Sequence, residues 1–246
     1  MLMPISEVRI ARRSVFILAG AALLLPRGRA ATAQPAAGAR IGIIGSGRLG
    51  GTVGTLLAKA GHSVLFSSRH PERLKELVEA AGPNARAGTP AEAAAFGEAL
   101  LVAVPYGALP QVGQELGGAL RGKVVLDACN AVVTRDGAVG QAAIERGIGL
   151  ASAEHLPGAR VVRAFNTLGS RVLAEGAHRA GAPIAIPIAG DDAAALETAA
   201  ALVRDAGFDP VVVGPLSRAS DFAMGARGYG QAVTAPELRR ILGLPS

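Results

Sequence analysis

Aromatic residues are scarce in this chain of 246 residues, since they make up 3% of it and tryptophan is absent. Proteins that bind single-stranded nucleic acids stack bases on aromatic side chains, so the scarcity argues against that class. Half of the residues are hydrophobic. Because so few of them are aromatic, the core must consist of valine, isoleucine, leucine and alanine. A chain of this size can bury the core of one large domain or two small ones.

Residues that bind metals or act as nucleophiles are also few. Cys129 is the one cysteine, which excludes an intramolecular disulfide and a multi-cysteine zinc or iron–sulfur site. The four histidines lack the spacing of metal ligands, and no G-x-S-x-G motif occurs. We predict no metal site and assign no catalytic side chain. His155 is the one histidine expected near a ligand crevice, and we interpret it as a surface residue.

Positive charge is concentrated at the N-terminus. Residues 1–33 contribute +4 of the net charge of +6, so we expect no nucleic-acid binding by the remainder. Arg12 and Arg13 precede an uncharged stretch, and an A-x-A sequence ends at Ala33. This order is typical of a secretory signal of the twin-arginine type. It predicts export to the periplasm or another extracytoplasmic space, and the alternatives are an uncleaved anchor or a wrongly chosen start codon on a cytoplasmic enzyme.

Strand-like and helix-like segments alternate after a short linker at residues 34–39. This alternation predicts an α/β fold of the Rossmann type, with a doubly wound, mostly parallel sheet. We assign residues 40–168 to an NADP-binding domain and residues 169–246 to a small C-terminal α/β extension. A proline in the strand predicted at residues 183–189 fits an edge strand or a bulge. The predicted strands are residues 40–45, 63–67, 84–88, 99–104, 123–128, 160–164, 183–189 and 209–214.

A G-x-G-x-x-G motif follows the first predicted strand and opens the first predicted helix. Gly45 permits a tight turn, Gly47 lets backbone N–H groups approach a pyrophosphate, and Gly50 lets the helix pack closely on the strand. The predicted cofactor-binding residues of the motif are Gly45, Gly47 and Gly50.

The end of the second predicted strand distinguishes NADP(H) from NAD(H). Sites specific for NAD carry an acidic residue there, which accepts a hydrogen bond from the ribose 2′-hydroxyl. This chain has Ser67, Ser68 and Arg69 instead, and these are donors that suit a 2′-phosphate. The pattern favours NADP(H). The alternative is that Arg69 is a solvated residue in the first turn of the following helix.

Polar and small residues follow three later strands, where the carboxyl ends of a doubly wound sheet line the ligand crevice. Pro105 and the adjacent Tyr106 are candidates for a wall around the nicotinamide, and Asn130 and Asn166 are candidates for holding its carboxamide or a second ring. Each asparagine is equally compatible with a plain turn. The predicted site residues of this group are Val104, Pro105, Asn130, Ala164, Phe165 and Asn166.

Several motifs together resemble those of the coenzyme F420-dependent NADP oxidoreductases. They are I-G-I-I-G-S-G-R-L-G from residue 41, S-S-R-H-P at 67–71, A-V-P-Y at 103–106, V-V-R-A-F-N at 161–166 and A-G-D-D at 189–192. The nicotinamide-binding domain of six-transmembrane ferric-chelate reductases is similar too. The resemblance implies that Ser46, Arg48 and Leu49 also bind the cofactor, as part of the pyrophosphate loop. It further implies hydride transfer between NADP(H) and a deazaflavin, coenzyme F420, or a flavin. Residues 217–231 do not match, which leaves the acceptor pocket open.

Two other classes remain as alternatives. One is a non-catalytic NADP(H)-binding sensor, and the other is a partner-dependent electron donor to a membrane reductase. Pyrroline-5-carboxylate reductases and hydroxyacid dehydrogenases share the glycine motif, but the segment after Asn166 is too short for their helical C-terminal domain. We expect a small-molecule hydride acceptor and a homodimer.

Overall fold

The computed structural model describes residues 38–245. The predicted signal peptide and most of the predicted linker lie outside the described residues. Strands and helices alternate from residue 40 onward, as the sequence indicates. The strands are β1 (Arg40–Ile44), β2 (Ser63–Ser67), β3 (Ala85–Gly88), β4 (Ala99–Val102), β5 (Val124–Asp127), β6 (Arg160–Arg163), β7 (Ala185–Gly190) and β8 (Asp209–Gly214). The helices are α1 (Arg48–Lys59), α2 (Lys75–Ala81), α3 (Pro90–Phe96), α4 (Leu109–Leu120), α5 (Val133–Arg146), α6 (Ile148–His155), α7 (Ser170–Gly176), α8 (Ala193–Asp205) and α9 (Ala235–Leu242).

The eight strands form one sheet in the order β3-β2-β1-β4-β5-β6-β7-β8. All neighbours pair in parallel except β6 and β7, which are antiparallel. The predicted fold class is therefore confirmed. The strand order reverses between β1 and β4, and in such sheets ligands bind at the carboxyl ends of the strands beside this reversal.

Two apolar layers cover the faces of the sheet. Successive residues of a strand alternate between them, so Ile43 and Leu101 lie in one layer, whereas Ile44 and Leu100 lie in the other. The side chains are mostly aliphatic, as the composition predicts. The C-terminal strands share these layers, because Ile186 and Phe208 belong to the same cluster as Ile43.

Strand β7 corrects one expectation. Its proline, Pro187, is neither on an edge strand nor at the bulge, which lies between Ile188 and Ala189. Strand β6 pairs only with Ala189 and Gly190, the last two residues of β7. Pro187 lies beyond this pairing, so its missing N–H leaves no hydrogen bond of the β6–β7 ladder unmade.

Four helices were not predicted from the sequence, namely α5, α6, α7 and α9. Helix α5 contains Gly137 in a non-helical conformation (φ 57°, ψ −138°) that divides it into two helical segments at a kink, and such a glycine is typical of a loop. Helix α7 has 7 residues and α9 has 8, too few for a clear apolar period. Among residues 38–245, no helix has the length and hydrophobicity needed to span a bilayer.

Candidate functional site

The glycine motif forms the turn from β1 into α1. Gly45 has a φ of +93°, and a Cβ atom there would lie 2.6 Å from the carbonyl oxygen of Ala103. A Cβ atom on Gly50 would overlap the Gly45 carbonyl oxygen. Both positions therefore need glycine, the first for the turn and the second for close packing of helix and strand. At Gly47 no atom lies within 4 Å of an added Cβ, so this backbone faces open space.

Helix α1 begins with its backbone N–H groups open to a ligand. Gly47 is the N-cap residue, and no side chain within residues 38–245 caps this end or places an acid in the first turn. The partial positive charge of the helix N-terminus is therefore not neutralised locally. The Ser46 hydroxyl is buried and has no hydrogen-bond partner in the described part of the chain. An anion such as a pyrophosphate would satisfy these donors.

Strand β2 ends beside this loop with the three predicted 2′-phosphate ligands. The Ser67 hydroxyl is buried and donates to the Ile43 carbonyl oxygen at 2.7 Å, so the donor expected of Ser67 is used inside the sheet. The Ser68 hydroxyl accepts from the His70 N–H at 3.0 Å and keeps its own proton to donate. The Arg69 side chain is exposed and makes no ion pair within residues 38–245.

A cleft of about 440 Å³ joins these elements. It brings together eight of the predicted residues, and one face of α4 forms a further wall. The predicted residues that line it are Gly45, Ser46, Gly47, Ser67, Ser68, Arg69, Val104 and Pro105. Arg48 lies at the neighbouring groove along α1. Asn130, Ala164, Phe165 and Asn166 do not line the cleft, because they follow β5 and β6 further along the sheet.

Two polar side chains of this cleft were missed by the sequence analysis. Gln111 and Glu115 lie one turn apart on α4 and face the cleft together with the apolar residues Val112 and Leu116. The Gln111 amide donates to the Glu115 carboxylate at 2.7 Å. Their spacing places them on one face of a helix. Nothing in the sequence indicates that this face lies opposite the glycine loop.

The two predicted asparagines lie together at the carboxyl ends of β5 and β6. The Asn130 amide donates to the Asn166 carbonyl oxygen at 2.7 Å, and the Asn166 amide donates to the Phe222 carbonyl oxygen at 3.2 Å. The Asn166 side-chain oxygen and the Thr167 hydroxyl are buried without a partner among the described residues. The pair therefore links the predicted crevice to the segment after β8.

Phe165 corrects part of the prediction for this region. Its φ of 60° is rare for a residue other than glycine. Its ring packs edge-on against Phe208, with ring centroids 6.3 Å apart, and both rings are buried in the core. The neighbouring Ala164 is buried as well. The Phe165 ring therefore fills the core rather than the crevice.

A buried ion pair supports the turn that carries Asn130. The Arg163 guanidinium contacts the Asp127 carboxylate at 2.6 Å and donates to the Cys129 carbonyl oxygen at 2.7 Å. The other Asp127 oxygen accepts from the Cys129 N–H at 2.9 Å. Burial raises the pKa of the Cys129 thiol well above its usual value, so the thiol stays protonated. These contacts fix the backbone just before Asn130.

Tyr106 and His155 are not placed where the sequence predicts. The Tyr106 side chain is fully buried, and its hydroxyl lies 3.2 Å from the Ser152 hydroxyl on α6. Burial raises the pKa of Tyr106 to about 12. It therefore packs beneath the crevice and does not form its wall. His155 ends α6, is half-buried with its ring 6.1 Å from the Tyr106 ring, and does not line the cleft.

A smaller apolar hollow has a volume of about 200 Å³. Some of its lining residues are close in the sequence to the asparagine pair or to its contacts. Ala131 follows Asn130, and Ala223 follows Phe222, whose carbonyl oxygen Asn166 contacts. Ile144 and Met224, with 53% and 48% of their surfaces exposed, form its outer part. Within residues 38–245, no group of three histidine, cysteine or acidic side chains is close enough to hold a metal ion.

The sheet order, the glycine turn and the arginine that follows β2 define a Rossmann-type protein of the class that binds NADP(H). Residues 40–131 match the family model of the coenzyme F420-dependent NADP oxidoreductases. This match over residues 40–131 confirms the predicted resemblance to that family.

Known proteins extend the similarity beyond residue 131. The metalloreductase STEAP3 of Rattus norvegicus is 29% identical over 185 residues, which are 74% of this chain and 35% of that protein. The chain thus spans about a third of the length of this relative. A hypothetical protein of Sinorhizobium meliloti has 25% identity and a TM-score of 0.71, covering 80% of this chain and 95% of its own. A candidate F420-dependent NADP reductase of Arthrobacter has 24% identity and a TM-score of 0.61, covering 74% and 88%. These two structures share the fold.

Proposed function

We propose that this protein is an NADPH-dependent oxidoreductase that transfers a hydride between NADP(H) and a deazaflavin, coenzyme F420, or a flavin-like acceptor. The observation that carries the proposal is the cleft in which Ser68 and Arg69 lie beside the uncapped N-terminus of α1. A pyrophosphate and a 2′-phosphate are both anionic, and each would find donors there. NADPH, when bound, supplies the hydride.

The residues of the cleft would act by binding and orientation. The backbone N–H groups at Gly47 and the start of α1 would hold the pyrophosphate, and Arg69 would neutralise the 2′-phosphate. Pro105 would limit the space beyond the glycine turn. Hydride transfer between two rings depends chiefly on their positions and needs no acid or base from the protein. A site without an assigned catalytic side chain is compatible with this reaction.

The hollow that contains Met224 supports the acceptor part of the proposal. Its lining is apolar apart from Ser220, which suits the faces of a planar ring. The Asn130–Asn166 pair connects it to the carboxyl ends of β5 and β6 through the Phe222 carbonyl. An acceptor ring in this hollow would lie beside Ala131 and Ala223, the residues that follow Asn130 and Phe222 in the sequence.

The test uses the chain beginning at Gln34 as the catalyst of anaerobic NADPH oxidation. Coenzyme F420 is the acceptor in one reaction and free flavin in a parallel one, and the absorbance of NADPH and of the acceptor is followed in each. We expect rapid reduction of one of the two rings. Met224→Glu should slow this reduction at least about tenfold, because a charge in an apolar site must be desolvated, without changing the Kd of NADPH. Val212→Glu changes an equally exposed residue on the β8 edge and serves as the control.

The result contradicts the proposal if NADPH binds and neither ring is reduced. A second candidate function then takes precedence, in which the chain donates electrons to a membrane reductase. The similarity to metalloreductase STEAP3 favours this candidate. Reduction that requires an added membrane fraction would identify it, and NADPH binding without any electron transfer would identify a sensor.

Export and a homodimeric state complete the proposal. Residues 1–33 would direct the folded chain out of the cytoplasm, on the sequence pattern given above. Fusion of these residues to a reporter that is active only outside the cytoplasm tests this, with Arg12→Lys/Arg13→Lys as the variant expected to abolish export. Analytical ultracentrifugation tests the homodimer.

A further inference from the structure

We infer that Glu115 and Gln111 recognise the adenine base of the nucleotide and make the cleft selective for adenine over hypoxanthine. The inference rests on the proposed function, because it requires that the cleft hold NADP(H). It assigns a role to two residues that neither the glycine motif nor the end of β2 explains.

Helix α4 presents a face to the cleft that suits a planar base. Its lining residues are spaced as neighbours on one side of a helix. Val112 and Leu116 are apolar, and Pro90 from the start of α3 lines the same cleft. Gln111 and Glu115 are the polar residues of this wall. Adenine has two apolar faces and a polar edge, so apolar contacts beside a few hydrogen-bonding groups match its shape and chemistry.

The hydrogen bond within this wall leaves more free acceptors than donors, since Gln111 Nε2 keeps one N–H. The Gln111 Nε2 amide donates to Glu115 Oε1 at 2.7 Å. Glu115 Oε2 and Gln111 Oε1 then have no donor in the part of the chain that the structure describes. Adenine carries an exocyclic amine, which is a donor, whereas hypoxanthine has an oxygen acceptor at that position. The charged Glu115 carboxylate therefore favours the amine over the oxygen.

The position of the wall agrees with the chemistry of the nucleotide. In NADP(H) the 2′-phosphate is attached to the ribose that carries adenine. A phosphate bound by Ser68 and Arg69 would thus place the base within the same cleft, and the α4 face lines that cleft. A negative charge on Glu115 would repel the 2′-phosphate. A hydrogen bond from the adenine amine to Glu115 would offset this repulsion.

An ordinary surface pair would have the same geometry, and α5 provides one. There the Gln141 amide donates to the Glu145 carboxylate at 2.7 Å, four residues apart. Neither residue lines the cleft. Both pairs stabilise their helices by the same small amount, about 0.2–0.5 kcal/mol. Glu145→Ala is therefore a matched control for Glu115→Ala.

The experiment compares two nucleotides on the full chain. NADPH and its counterpart with hypoxanthine in place of adenine are titrated against the wild type, Glu115→Ala and Glu145→Ala, and the nicotinamide fluorescence reports binding. We expect the wild type and Glu145→Ala to bind the hypoxanthine nucleotide about tenfold more weakly than NADPH, since a charge-assisted hydrogen bond has about this effect. For Glu115→Ala the two Kd values should become equal. The ratio of Kd values is insensitive to relief of phosphate repulsion, which affects both nucleotides alike.

Equal binding of both nucleotides by the wild type overturns the inference, and so does an unchanged ratio in Glu115→Ala. In both cases NADPH still binds, and the proposed function stands. Failure of the wild type to bind either nucleotide overturns the proposed function and the inference with it.

Discussion

Arg69 follows β2 and has an exposed guanidinium that pairs with no carboxylate within residues 38–245. Arg69→Glu should weaken NADPH binding by about ten- to a hundredfold, because a charge-assisted contact contributes about 1.5–3 kcal/mol. NADH, which lacks the 2′-phosphate, should lose little affinity. Fluorescence titration with both nucleotides measures this, and Arg204→Glu on α8 is the control. Equal losses for the two nucleotides would remove Arg69 from the phosphate site.

A substitution at Gly47 should affect nucleotide binding but not the stability of the fold. Gly47 is an N-cap with a φ of −74°, and an added Cβ meets no atom within 4 Å. Gly47→Ala should therefore leave the Tm within about 2 °C of the wild type, yet weaken NADPH binding at least about tenfold by occupying the space that the phosphate needs. Gly169→Ala is a matched control, since Gly169 is also an open N-cap with a φ of −67°. Unchanged NADPH affinity in Gly47→Ala would place the pyrophosphate elsewhere.

The sequence predicts single residues well where backbone geometry dictates their identity. The turn at Gly45 and the close packing at Gly50 follow from the spacing of the motif alone. The directions of the Ser67 hydroxyl and the Tyr106 ring do not, because each depends on which side chain or carbonyl the fold places nearby. Glu115 was missed for the same reason, since only the packing of α4 brings it to the cleft.

At the scale of elements, the Asp136 carboxylate links the start of α5 to the segment that follows β4. The carboxylate accepts from the Val132 N–H at 2.8 Å and from the Gly107 N–H at 3.1 Å. These contacts begin a helix that was not predicted from the sequence, because its glycines suggest a loop. In helix α3, by contrast, Thr89 and Glu92 form a capping box, which is a start signal carried by the local sequence. Elements with local start signals are predictable, whereas those started by a distant contact are not.

Asp136 should also set part of the acid stability. The hydrogen bond from the Arg135 guanidinium lowers the pKa of Asp136 to about 2, below the value of about 3.9 for an unfolded aspartate. The carboxylate therefore stabilises the fold above about pH 4, and this stabilisation is lost as the pH falls through about 2. Asp136→Asn should lower the Tm by a few degrees at pH 7 (roughly 1 kcal/mol) and by less at pH 2.5. Calorimetry at both pH values measures it, with Glu145→Gln on the same helix as the control. A Tm difference independent of pH would contradict this role.

The Asp127–Arg163 pair connects β5 to β6 and should behave as a coupled unit. Both side chains are fully buried, so removal of one partner leaves an uncompensated charge. We expect Arg163→Met to lower the free energy of unfolding by about 3–5 kcal/mol. Asp127→Leu/Arg163→Met should cost less than the sum of the two single changes. Urea denaturation measures all three variants, and additive losses would show that the charges are not compensating one another.

At the scale of the whole molecule, the extension predicted at residues 169–246 contributes strands to the same sheet as the NADP-binding segment. Strands β6 and β7 pair directly, and the Phe165 and Phe208 rings touch across the two parts. The apolar layers are also continuous between them. The sequence predicts the alternation of elements in both parts, but the antiparallel joint between them depends on long-range pairing that no local pattern encodes.

Unfolding should accordingly be a single cooperative transition for residues 38–245. The chain has two tyrosines and no tryptophan, and they report on different parts: Tyr106 follows β4, and Tyr229 lies in the segment after β8. In Tyr106→Phe the fluorescence of Tyr229 reports on the extension, and in Tyr229→Phe that of Tyr106 reports on the NADP-binding segment. Within each variant, the urea midpoint from tyrosine fluorescence should equal that from far-UV circular dichroism. A lower fluorescence midpoint for Tyr229 alone would mean that the extension unfolds first, and the shared core would then fail to couple the two parts.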